Sequence, residues 1–268
     1  RCERGASPES PYTNLGNAIR NGDGCYRSAV SESSLTNLND AIRNSDGSER
    51  GASLESCFTE IKSFTFHGCI SLTSVTIPDS VTLIGRLAFA FCNSIKSINI
   101  PGSVTKIGVN AFFGCNSLTS ITIPDSVTEI GHHAFERCSA LTSVTLHDGV
   151  TEIDDWAFSG CSSLRSISIP NSVTEISNRA FYQCTSLTSV AIPDGVTEIG
   201  IRAFLECSSL SSITIPDSVT QIGEGAFNQC TALTHIICNN PDLFTVLNIQ
   251  NKEQIQFNSD MALTQILN

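Results

Sequence analysis

Residues 118–140 read LTSITIPDSVTEIGHHAFERCSA, and their apolar positions follow two rules in turn. Ile121 and Ile123 alternate with Ser120 and Thr122, and a period of two predicts a half-buried strand. Pro124 removes a backbone donor and stops that strand. Asp125 and Ser126 supply turn chemistry, because their short side chains bond nearby amides. Val127 and Ile130 are apolar again and predict a second short strand, with a bend at Gly131. Ala134 and Phe135 are then expected to pack inward from a short helical or 3₁₀ turn, and Cys138 closes the unit. The same order returns every 23 residues: Phe66, Phe89, Phe112, Phe135, Phe158, Phe181, Phe204 and Phe227, each followed three residues later by Cys69, Cys92, Cys115, Cys138, Cys161, Cys184, Cys207 and Cys230. A fixed period of this size marks a repeat array. One unit is too small to bury its own apolar face, so neighbours must stack. The expectation is an α/β repeat solenoid of 23-residue coils, with a parallel sheet on one face and short strand or 3₁₀ turns on the other.

The period divides the chain. Residues 57–238 carry the array. Residues 239–268 break it, and Leu243, Phe244, Leu247, Ile255, Met261, Leu263, Ile266 and Leu267 predict a partly helical cap over the last coil. Residues 1–56 are polar and lack the Phe/Cys ladder, yet TNLGNAIRN at 13–21 returns as TNLNDAIRN at 36–44, again 23 residues on. Two readings stand side by side. The segment is a divergent, partly disordered stretch, or it is repeat DNA read in the wrong frame: Ile-Arg-Asn written ATC CGT AAC contains Ser-Val-Thr one base along. The first residue is Arg1, which suggests a fragment or a gene model lacking its start.

The unit IPDSVTEIGHHAFERCSALTSVT resembles the BspA-like, or treponemal-type, leucine-rich repeat family. The departures are confined to single coils: His147 stands where the unit has Pro, and Asp154 and Ser177 stand where it has Gly. The resemblance implies a right-handed solenoid and roles in surface attachment and protein binding. It is also the sole ground for expecting a cell-surface or secreted location.

Twelve cysteines raise the question of disulfides or metal. No CxxC pair and no zinc-finger spacing occurs. Equivalent side chains in a stack point the same way, so the ladder cysteines are expected to be free, buried apolar fillers. Cys2, Cys25, Cys57 and Cys238 lie outside the ladder and are unassigned. A net charge of −11 speaks against nucleic acid or an acidic membrane surface as partner. There is no run of apolar residues long enough to span a bilayer.

No catalytic motif is present, so no catalytic residue, cofactor or metal is assigned; the pair His132-His133 reads as two surface residues. The expected function is a non-enzymatic module that binds a protein or a surface glycan. A spacer array without a ligand is the first alternative, and ice binding through the Ser/Thr strand face is a remote second. The residues just before each Ala vary most between coils. One such column places Trp156, Arg179 and Arg202 in successive coils, with Tyr182 nearby, and Trp, Tyr and Arg are the types enriched where binding energy concentrates. Glu129, Glu152, Glu175 and Glu198 form a carboxylate column. It is expected to be relieved by basic neighbours or solvent, or else to attract cations or a basic partner.

Overall fold

The computed structural model describes residues 59–238, Leu243 and two short strands near the N-terminus, β1 (Ile19–Arg20) and β2 (Tyr26–Arg27), which pair antiparallel. The expectations for 1–56 and for a cap over 239–268 otherwise fall outside the described residues. The array contains fourteen strands in two interleaved sets. One set is β6 (Ser120–Thr122), β8 (Ser143–Thr145), β10 (Ser166–Ser168), β12 (Ser189–Ala191), β14 (Ser212–Ile215) and β16 (His235–Cys238). The other is β3 (Glu60–Ile61), β4 (Leu83–Ile84), β5 (Lys106–Ile107), β7 (Glu129–Ile130), β9 (Glu152–Ile153), β11 (Glu175–Ile176), β13 (Glu198–Ile199) and β15 (Gln221–Ile222).

Every pairing within the array is parallel and joins a residue to its equivalent one period later, as in Ser143 with Ser166 and Glu175 with Glu198. The first set forms a six-stranded sheet, extended toward the N-terminus by bridges from Thr76 to Asn99 and from Ser97 to Ser120. The second set forms two four-stranded sheets, β3-β4-β5-β7 and β9-β11-β13-β15. The interior between them is a stack of identical layers. In the layer of residues 118–140, Leu118, Ile123, Val127, Ala134, Phe135 and Cys138 are all fully buried. The phenylalanine rings stack face to face from Phe66 to Phe227, with centroids 5.0 to 5.7 Å apart and planes nearly parallel. The layers approach closely where the unit has glycine. A Cβ added at Gly108 would lie 2.8 Å from the amide nitrogen of Arg86 in the coil before. Gly108→Ala is therefore expected to lower unfolding stability by about 1–3 kcal/mol in urea denaturation, the usual scale for forced overpacking.

The helical part of the sequence reading is corrected. Residues 59–238 contain neither α-helix nor 3₁₀ helix, and the Ala-Phe segment is a run of turns. The reason lies in the backbone. Each coil has two left-handed residues four apart, for instance His133 (φ 59°) and Arg137 (φ 60°) around Ala134-Phe135, and left-handed residues cannot continue a right-handed helix. The amides also alternate in their targets. Ala134 and Glu136 bond back three residues within the turn, whereas His133, Phe135 and Arg137 donate to Asp155, Ala157 and Ser159 of the next coil at 2.7–2.9 Å. The turn edge is thus a third strip of hydrogen bonds between coils, one without strand geometry.

The cysteine reading is corrected at one end. Cys69 is disulfide-bonded, whereas Cys92, Cys115, Cys138, Cys161, Cys184, Cys207 and Cys230 are free and buried; Cys238, outside the ladder, is buried as well. Nor are the free ladder thiols mere fillers. Each donates to the carbonyl of the phenylalanine 26 residues earlier, as Cys161 Sγ does to Phe135 O at 3.2 Å and Cys184 Sγ to Phe158 O at 3.2 Å. The thiol therefore fills space and also satisfies a buried carbonyl of the layer before.

Candidate functional site

The turn edge carries the side chains that differ most between coils. Stacking brings Trp156, Arg179 and Tyr182 into contact. The Arg179 guanidinium lies 4.7 Å from the Trp156 ring centroid, within cation–π range. Tyr182 meets Trp156 edge-on with centroids 5.7 Å apart. From the preceding coil, His133 stacks on Trp156 at 5.7 Å with planes 20° apart. His133 had no assigned role in the sequence, although its place in the 23-residue column of Trp156 was the signal for this contact. The Tyr182 hydroxyl donates to Glu206 at 3.3 Å, and Gln183 Nε2 donates to the same carboxylate at 2.9 Å. Desolvation first, and Glu206 second, push the Tyr182 phenol above its usual range. Arg202 stands exposed one coil further on, beside exposed Ile201. The cluster has order and a mixed apolar and cationic character, and it contains no nucleophile held by a base.

Backbone geometry sets these side chains outward. Trp156, Arg179 and Arg202 have φ of 59°, 54° and 56°, and Gly225 holds the same place in a later coil. The left-handed region is costly for bulky residues, and glycine is its natural occupant.

The four glutamates lie on the second set of strands, one per coil, and they are not equivalent. Glu129 pairs with Lys106 Nζ at 2.6 Å. Glu152 and Glu175 share the hydroxyl of Ser177, at 3.0 and 3.1 Å. Ser177 is thus more than a departure from glycine, since its hydroxyl bridges two like charges. Desolvation, followed by Glu152 and Glu198, raises the Glu175 carboxyl above its ordinary range, with the Ser177 bond opposing. The expected relief by basic neighbours is therefore found at Glu129, while a hydroxyl supplies it at Glu152 and Glu175.

The six-stranded sheet shows its hydroxyls to solvent. Ser120, Thr122, Ser143, Thr145, Ser166, Ser168, Ser189, Ser212 and Thr214 are all exposed. Among the described residues, no helix is long and apolar enough to cross a membrane.

Similarity to known proteins agrees with this architecture. The family model described as "BspA type Leucine rich repeat region" matches residues 50–165 and 151–261, in six copies. A crystal structure of a leucine-rich repeat protein from Bacteroides ovatus is 38% identical, with a TM-score of 0.66, over 72% of this chain and 49% of that one. A second, from Eubacterium ventriosum, is 34% identical with a TM-score of 0.55, over 57% of this chain and 42% of that one. The chain thus spans about half the length of these relatives. Among curated proteins nothing matches. With its 23-residue coils, parallel sheets and matched repeats, the chain belongs to the BspA-type leucine-rich repeat family.

Proposed function

We propose that the array is a non-enzymatic binding module. Its contact patch is Trp156, Arg179, Tyr182 and Arg202 on the turn edge, and its ligand is a protein or a surface glycan. The observation that carries this reading is the ordered contact of the chain's single Trp, Trp156, with Arg179 at 4.7 Å and Tyr182 at 5.7 Å, because Trp, Tyr and Arg are the types in which binding energy concentrates. Left-handed backbone recurs at this position in every coil, so it directs these side chains outward without singling them out. The stacked order of the patch supports it further. Side chains held before a ligand arrives lose less entropy on binding. Glu129, Glu152, Glu175 and Glu198 add an acidic strip that favours basic groups on the same partner. Membership of a leucine-rich repeat family supports a binding role for the repeats.

The test is binding to immobilised glycans and to a cell-surface protein extract, comparing the natural chain with a Trp156→Ala, Arg179→Ala variant. The variant is expected to bind at least tenfold more weakly, the scale of losing a hot-spot pair, with an unchanged circular dichroism spectrum. Equal capture by the two forms removes the patch. No saturable capture by either form favours the spacer reading.

A further inference from the structure

Charge repeats along the array in a lopsided way. Carboxylates recur at equivalent positions in consecutive coils, as in the column of Glu129, Glu152, Glu175 and Glu198. Between residues 59 and 238 Lys or Arg recurs so just once, at Arg179 and Arg202. Like charges facing each other are destabilising unless something between them compensates. The glutamates have such compensation, from Lys106 at Glu129 and from the Ser177 hydroxyl at Glu152 and Glu175. The arginine pair has no carboxylate to compensate it. Among the described residues neither guanidinium forms an ion pair, whereas Arg137 approaches Glu136 at 3.7 Å. Glu224 accepts the Arg202 amide through its backbone carbonyl at 3.1 Å, and its carboxylate leaves the guanidinium alone. Glu206 is engaged by Tyr182 and Gln183.

Arg179 is nevertheless held, because its guanidinium lies over the Trp156 ring at 4.7 Å. A guanidinium stacked in this way keeps its N–H donors open around its rim. Within the described residues none of those donors has an acceptor. Arg202 follows one coil later and is exposed; a Cβ added at Gly225 would meet its Cγ at 3.6 Å. The Tyr182 phenol, raised by desolvation and by Glu206, is pulled the other way by both guanidiniums, so both stand within electrostatic reach of one hydroxyl. Two cations with open donors therefore stand side by side in a chain of net charge −11. The more distant carboxylates act weakly here, since exposed charges are screened beyond about 8 Å at physiological ionic strength.

The surroundings decide between a glycan and a protein as the source of the missing anion. His133 stacks on Trp156 from the coil before, and Arg179 covers it from the coil after, so the indole offers no free face to a sugar ring. Ile201, next to Arg202, is 47% exposed at a position that Asp155 and Asn178 fill in the two preceding coils. Its amide is fixed by Asn178 Oδ1 at 2.8 Å. An exposed apolar side chain among arginines and aromatic edges has the make-up of a protein contact, in which aromatic residues and arginine gather and apolar area is buried.

On the reading of this strip as a contact patch, we propose that Arg179 and Arg202 form a carboxylate-recognition site for an acidic segment of a partner protein, with an apolar residue of that segment against Ile201. Arginine meets a carboxylate through paired N–H···O bonds, which are stronger and more directional than a lysine contact. The partner's carboxylate supplies the counter-charge that the two coils lack. Trp156 is the positioning residue that holds Arg179 for it.

Trp156 is the chain's single tryptophan, so its fluorescence reads this site in the full chain. The probe is a short blocked peptide with two glutamates flanking a leucine. The controls are the same peptide with glutamine for glutamate, and an oligosaccharide of glucuronic acid. The glutamate peptide is expected to give a saturable change and to bind about tenfold or more tighter than the glutamine peptide, the scale of one charge-assisted bond. Arg202→Gln, which leaves the indole and its neighbours in place, should remove that preference. Equal response to the two peptides, no response to either, or a preference that survives in Arg202→Gln overturns the proposal, as does a tighter response to the oligosaccharide. These outcomes are distinct from the fate of the patch itself. Loss of capture by the Trp156→Ala, Arg179→Ala variant without a preference for the glutamate peptide means that the patch binds by other means than carboxylate recognition. Undiminished capture by that variant means that the patch reading itself has failed.

Discussion

Raising the pH from 8 to about 10 is expected to unfold the array. Cys92, Cys115, Cys138, Cys161, Cys184, Cys207 and Cys230 all have thiols pushed up, by burial first at every one except Cys115, where the contact with Cys138 comes first, and Cys230 at the accessible end stands at about 12. An unfolded thiol ionises near 8.5. Below that value both states hold the proton and stability does not depend on it. Above it the unfolded chain releases protons that the folded chain retains, so stability falls as pH rises. Each thiol contributes about 1.4 kcal/mol per pH unit, and seven acting together change stability by about 10 kcal/mol per unit. Whole-domain stabilities are about 5–15 kcal/mol, so the fold should fail within one to two units above the thiol range. The measurement is urea denaturation at pH 7.5, 8.5 and 9.5 in oxygen-free buffer without reductant, which leaves the Cys69 disulfide intact. A Cys161→Ala, Cys184→Ala variant should start from lower stability and yet show a shallower slope, by the share of two thiols in seven. A slope near zero in the natural chain would mean that the ladder thiols ionise in the folded state.

The same ladder shows how far the sequence could be read. The 23-residue step of Phe and Cys is enough to place every layer, because stacking equivalent residues is the sole way such short units bury Phe135, Ile130 and Leu141 together. The Ser/Thr alternation likewise gives the hydroxyl-bearing strands, since a period of two has one structural meaning. The turn around Ala134-Phe135 was not legible. An Ala-Phe pair flanked by polar residues looks helical, and nothing in the identities of His133 or Arg137 announces a left-handed backbone; intercoil hydrogen bonds impose it. The thiol-to-carbonyl bonds were hidden for a similar reason, because the Phe135 carbonyl meets Cys161 only once two coils are stacked. For the candidate patch, the column arithmetic puts Trp156 next to Arg179. The stack of His133 on the same ring and the Glu206 anchor of Tyr182 depend on side-chain direction, which spacing does not encode.

Phe158→Ala is expected to lower unfolding stability by about 3–5 kcal/mol, the range for truncating a fully buried phenylalanine. Phe158 is wholly buried and stacks on Phe135 at 5.4 Å and Phe181 at 5.7 Å, with planes within 4° and 8°. Its removal opens a void between two layers and leaves each neighbouring ring with a bare face. In a linear array stability is approximately a sum of unit terms and nearest-neighbour terms, so the loss depends on position. Phe227 is in the last described layer of the ladder and stacks there on Phe204 alone, at 5.4 Å. Phe227→Ala should therefore cost less, by roughly the 0.5–1.5 kcal/mol of one aromatic pair. Exchange of backbone amides adds a spatial check. In Phe158→Ala the faster exchange should centre on the coils of Phe135, Phe158 and Phe181 and fade toward Phe89, because each layer touches only its neighbours. Equal losses for the two variants, or uniform acceleration along the whole array, would mean that the layers unfold as one indivisible unit and that the nearest-neighbour description does not hold for this chain.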